Sequence, residues 1–206
     1  MNINKPKIKN TNTSTFKEAI CNNYLSNLDI TGTESDILIS DVTLDSCVFN
    51  NVDFSNYAME NVDLIDCIFN NCDLSNICFG NRYVRRVVFN NCKLFGTNFD
   101  NTNFTDVSFN DCTLKYISFN KAILKNINFM NCNLEESTFM ETNIKDAYFD
   151  SCNLRKSDFY KTKLNNIDLS TSNIEGIRIG IDELKGSIIN MEEAIIIVNM
   201  LVINVK

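Results

Sequence analysis

The chain has 206 residues, no histidine, no tryptophan and one proline, and its acids outnumber its bases 26 to 19 for a formal charge of −7. Without imidazole it lacks the commonest general base and the commonest nitrogen ligand for a metal. The acidic balance argues against a general nucleic-acid binder, which needs a basic footprint. Nine cysteines form no CxxC pair.

Residues 1–36 read as an irregular N-terminal cap. Lys5, Lys7 and Lys9 precede a polar run from Asn10 to Thr15. Phe16 to Tyr24 suggest a short helix or a degraded coil, Leu28 and Ile30 alternate, and Gly32 allows a turn. No apolar segment of signal-peptide length occurs near Met1, so the expected compartment is the cytoplasm, with reduced thiols.

From Ile39 to Ile179 every fifth residue is large and apolar, through 29 consecutive positions without an insertion. A period of five fits neither the helical 3.6 nor the strand period of 2. It fits a coil in which each pentad makes one side and its centre points inward. A second period of 20 is superimposed: Phe49-Asn50-Asn51, Phe69-Asn70-Asn71 and Phe89-Asn90-Asn91 repeat at that spacing. Twenty residues are four pentads, so residue n stacks on n+20 at roughly the 4.8 Å strand spacing. About seven such coils make a solenoid on the order of 35 Å long. Phenylalanine fills two opposite walls (Phe49 to Phe149, and Phe79 to Phe159), with leucine mostly between.

Two residues before each centre the side chain is usually small, as at Val42, Cys47, Val52, Thr97 and Ala122, and one before it is often Asp or Asn. This order resembles the pentapeptide-repeat family, Ala-(Asp/Asn)-Leu-x-x, over residues 37–181. The resemblance implies an all-β fold, a right-handed quadrilateral β-helix. Cys72, Cys92, Cys112, Cys132 and Cys152 occupy the small position and are read as packing residues, with Cys78 and Cys21 off the column and Cys21 the expected exposed thiol. The stacked asparagines are read as a hydrogen-bonded ladder. Arg82 breaks the small-residue rule and predicts a local bulge, because an unpaired buried guanidinium is costly.

Residues 182–206 leave the pattern. Asn190 caps a predicted helix, with Glu193 as its reciprocal partner. That helix is apolar on nearly every face, so one face covers the last coil and the other requires a second copy of the chain. The expected dimer interface is Ala194, Ile195, Ile196, Ile197, Val198, Met200 and Leu201, and Val202 to Val205 alternate as a short strand does. The apolar run is too short to span a bilayer, so no membrane association is expected. This tail is similar to that of the quinolone-resistance (Qnr-like) branch. The resemblance implies a non-enzymatic protein that binds type II topoisomerase, such as DNA gyrase, by presenting an acidic rod in place of duplex DNA. Direct nucleic-acid binding, a cofactor, a metal and catalytic residues are not expected.

The charges qualify the carry-over. Asp41, Asp45, Asp53, Glu60, Asp63, Asp66 and Asp73 are the charged residues of 37–80, and over 81–132 seven bases, beginning with Arg82, Arg85 and Arg86, stand against three acids. These ten residues are the candidate partner surface. No side of the coil is acidic throughout, so a general protein-interaction scaffold stands as the alternative to topoisomerase binding.

Overall fold

The computed structural model describes residues 3–9, 11–14, 24–32, 37–55 and 57–200. Its organising feature is a backbone angle. Two residues after each centre, φ lies near +50° to +70° at every described position from Asp41 to Asn166. A left-handed residue between short extended segments turns the chain through a corner, and four corners close a square. Asn, Asp, Ser and Gly tolerate this region, and they hold most of these positions. Thr171, β-branched, is absent from the series.

The sides stack as one parallel sheet. Long strands recur at 20-residue register: β4 (Ile37–Asp45), β6 (Tyr57–Ile65), β8 (Tyr83–Asn90), β9 (Asn103–Asn110), β10 (Ile123–Met130) and β11 (Asn143–Asp150). Short β5 (Val48–Asn50) and β7 (Ile68–Asn70) complete the side that β8 onward spans in one strand. These six long strands mark six turns. The seventh coil, past residue 160, continues only as turns and isolated bridges such as Asp158↔Arg178 and Asp168↔Ile188.

Coiling begins before residue 37. β1 (Asn12–Thr13) pairs with β3 (Leu28–Thr31), while β2 (Tyr24–Ser26) and β3 pair in parallel with β4 and β5. Their register is 19, as in Tyr24↔Thr43, so the first coil is one residue short. Of the early segment read as helix or coil, Tyr24 belongs to β2, and residues 16–23 lie outside the described residues, as do Leu201 and Val202 to Val205.

The interior is as the periodicity requires. Successive rings on one wall stack at 4.7–5.1 Å from Phe49 to Phe149. The opposite wall, Phe79 to Phe159, stacks at 4.6–5.6 Å. Edge-to-face contacts join the walls, as between Phe119 and Phe129 at 5.9 Å. The small position adds a polar contact. Each thiol of the Cys72–Cys152 column lies 3.4–3.5 Å from the carbonyl oxygen 23 residues earlier. Thr97, Thr102 and Thr142 donate to the equivalent oxygens at 2.8 Å. These cysteines are therefore small core residues that also serve a turn carbonyl. Outside, Asn70, Asn90 and Asn110 each donate to the side chain one coil below at 2.9 Å, and Asn50 starts the ladder on Asp29.

Phe119 contacts Phe99, Phe104, Phe109, Phe129 and Phe139. Phe119→Ala is expected to cost about 3–5 kcal/mol, read as a lower urea midpoint at unchanged slope.

Candidate interaction surface

With the repeats turned inward, recognition chemistry is confined to four outer faces, four corners and two ends. Much of the acidic set expected at the partner surface is committed to the rod itself. Asp53 accepts the Ser55 amide at 2.9 Å, and Asp63 accepts that of Tyr83 at 2.9 Å. Asp41 accepts from Asn61 at 2.8 Å, Asp45 bonds the Tyr24 hydroxyl, and Asp73 pairs with Lys93 at 3.7 Å. Glu60 and Arg85 are exposed. Buried Asp66 and half-buried Arg86 form a two-point ion pair, so neither is free for a partner.

Arg82 corrects the expectation of a bulge. Asn81 keeps the corner angle at φ 63°, and the Asn103 amide bonds the Arg82 carbonyl at 2.9 Å. No residue is inserted. The ladder to the preceding coil opens instead, β6 and β8 sharing only Leu64↔Val84 and Ile65↔Arg85. The half-buried Arg82 side chain reaches Asn61 Oδ1, while its Nε is buried without an acceptor. Parting two coils locally costs less than leaving the whole charge desolvated.

The N-terminal segment holds a feature that sequence reasoning missed. Residues 3–9 run as a strap along the corner column Ser46, Asp66, Arg86, Asp106 and Asn126. The Lys7 amide donates to Asp66 at 2.8 Å, and the Ser46 hydroxyl donates to the Lys7 carbonyl at 3.4 Å. Asn4 donates to Asp106 through its amide (3.4 Å) and its side chain (3.0 Å). Asp66 and Asp106 are two coils apart, about 10 Å, and three extended residues from Asn4 to Lys7 span about the same distance. Two carboxylates in one column, 40 residues apart in sequence, were the available signal.

At the other end, α1 (Ile181–Leu184) and α2 (Met191–Met200) close the rod. Asn190 caps α2 as expected, accepting from the Glu193 amide at 2.9 Å. Glu193 does not reciprocate. Its Oε1 accepts the Ile174 amide at 3.3 Å, and its Oε2 is buried without a partner. Burial, with Glu192 and Glu175 nearby, pushes this carboxyl up. Within the expected dimer interface, Ile197 is only 9% exposed and belongs to the core. Ala194, Ile196 and Val198 are half-buried, and Ile195 (46% exposed) faces outward beside Met191 (80%). The side chain of Met200, and Leu201 altogether, lie outside the described residues. Cys78 is exposed, whereas Cys21 lies outside the described residues.

A groove of about 370 Å³ runs along the corner lined by Asp100, Lys121, Met140, Glu141 and Tyr160. Among the described residues no group of three potential ligands could hold a metal, and no helix is long and apolar enough to cross a membrane.

The family profile described as a pentapeptide repeat region matches residues 62–139 and 102–179, and a second profile, pentapeptide repeats in eight copies, matches 39–76. The chain belongs to the pentapeptide-repeat family. Its fold is the quadrilateral β-helix of solved members. QnrB1, a plasmid-mediated fluoroquinolone resistance protein, aligns at 12% identity with a TM-score of 0.58, over 89% of this chain and 92% of that one. A pentapeptide repeat protein of the Arabidopsis thaliana thylakoid lumen is 25% identical over 43% of this chain and 61% of that one, at a TM-score of 0.41. HetL from Nostoc sp. strain PCC 7120, involved in heterocyst differentiation regulation, is 15% identical over 81% and 89%, at 0.32. Comparison with curated protein sequences finds no match.

The Asp66–Arg86 pair makes the strap sensitive to acid. Burial alone would raise Asp66, but Arg86 and the Lys7 amide outweigh it and hold the carboxyl below its ordinary value of 3.8. A lowered carboxyl contributes stability above its unfolded value that is lost as pH falls through the folded one. The urea midpoint is therefore expected to fall below about pH 4. Asp66→Asn should cost about 3 kcal/mol near neutrality and flatten that acid limb.

Proposed function

We propose that this pentapeptide-repeat protein is a non-enzymatic binding protein that works as a homodimer through α2 and engages a type II topoisomerase in the Qnr-like manner. The observation that carries the dimer is the outward face of α2, where Met191 and Ile195 lie one helical turn apart and exposed. Fold likeness to QnrB1 over nearly the whole of both chains supports the Qnr-like reading. A cytoplasmic protein with reduced thiols fits the eight free cysteines among the described residues.

A supercoiling assay with purified DNA gyrase, with and without quinolone, tests the partner. Inhibition, protection or direct binding is the expected result; the absence of all three rejects it. For the dimer, Ile195→Glu is expected to elute as a monomer in gel filtration while melting at the wild-type temperature, because that side chain adds little to the core.

The scaffold reading, with a partner other than a topoisomerase, is favoured by one specific observation. Arg85, Lys125 and Lys145 share one exposed column of the rod, which does not suit an imitation of duplex DNA.

A further inference from the structure

Ion pairs in this molecule follow a rule. Seven of the eight among the described residues join a side chain to the one 20 residues away, directly above or below it, as in Lys115–Glu135 and Arg178–Asp158. The repeat thus neutralises its surface coil by coil.

One face breaks the rule. On the outer side of β8 to β11, Arg85, Thr105, Lys125 and Lys145 form one column by direct register, and Tyr83, Asn103, Ile123 and Asn143 form the next. Lys163 follows Asn143 by the same step of 20, and Lys121 stands at the bordering corner. These five cations are exposed, and none makes an ion pair among the described residues. Lys125 and Lys145 are immediate cross-strand neighbours, an arrangement of like charges that costs stability. No acid occupies either column from Tyr83 to Asn165. Of the bordering acids, Asp66 and Asp106 are taken by Arg86 and the strap, and Glu141 by Lys161. Asp146 alone is exposed and without an ion pair, at a corner. Lys5, Lys7 and Lys9 of the strap add exposed charge along the same corner.

We infer that this face docks an extended acidic segment of a partner protein. Its reach decides between polyanions. From Arg85 to Lys163 is four coil steps, about 19 Å, the length of about six extended residues. Below it lie Asp63 and Asp45 in the same two columns, and above it Glu183. A nucleic acid, charged without interruption, meets repulsion at both ends, whereas a short acidic segment fits between them. Exposed Tyr83 and Ile123 offer apolar contact alongside the charges. The inference rests on the reading of the chain as a binding protein, but not on the dimer or on topoisomerase.

Fluorescence anisotropy with a labelled hexaglutamate peptide tests it, with single-stranded and duplex oligonucleotides as parallel probes at low and high salt. The wild-type chain is expected to bind the peptide, more weakly as salt rises, and more tightly than either oligonucleotide. Lys125→Glu with Lys145→Glu should weaken binding roughly tenfold, while Lys93→Glu, on another face, leaves it unchanged. Lys145→Glu alone restores the pairing rule through Lys125 and is expected to raise Tm by about 1–3 °C. Weaker peptide binding by that single variant, at a raised Tm, shows that lost binding is not lost folding. No peptide binding, binding indifferent to the double substitution, or tighter binding to an oligonucleotide overturns the inference. A negative gyrase assay leaves these outcomes untouched, because the peptide is read on this chain alone.

Discussion

A residue held at positive φ once in every five is the constraint on which the rest of this molecule depends. It bends a parallel sheet into a square, and the square brings residue n over residue n+20. Stacked phenylalanines, the asparagine ladder, the thiol and hydroxyl contacts to turn carbonyls and the vertical ion pairs all follow from that superposition. Each is a local contact between neighbouring coils, so the stability of the rod is nearly a sum of coil and interface contributions. A defect in one coil is then felt mainly by the next. Arg82 illustrates this: the ladder opens below it and is regular above it.

The inward half of the structure was legible because burial enforces a rule at every centre. Leu44, Phe89 and Leu164 each occupy one geometrical position, and any polar residue there would lie buried without a partner. The two outward positions look free by that criterion, and they are not. The second of them carries the corner, and its run of Asn and Asp at 51, 61, 66, 71, 76 and 81 is the composition that a left-handed backbone selects. The signal was present in the sequence, but reading it requires asking what the backbone does as well as what the side chain buries.

Features that join distant or unlike segments were not legible. The strap is specified by Asp66 and Asp106, whose partners lie 59 and 102 residues away, and no periodicity links them. Glu193 read as a capping partner for Asn190, yet it turned to an amide of the last coil, because an unpaired backbone donor at the end of a ladder outweighs a local reciprocal bond. The charge reversal along the chain was visible, but its meaning was not. Only the 20-residue register shows that most cations elsewhere on the rod meet a carboxylate vertically, while those of the Arg85–Lys145 column meet one another or an uncharged residue.

The carboxylate of Glu193 has a consequence for how long such a rod can be. A parallel stack presents at its end a row of backbone groups that match the underside of a further coil, and nothing in the repeat itself says where to stop. Glu193 occupies the Ile174 amide, which that further coil would otherwise use. It acts on the solenoid as an impurity acts on the growing face of a crystal, binding at the site of addition and offering no lattice beyond it. One acid among the isoleucines of the final helix thus fills a place that an added coil would take.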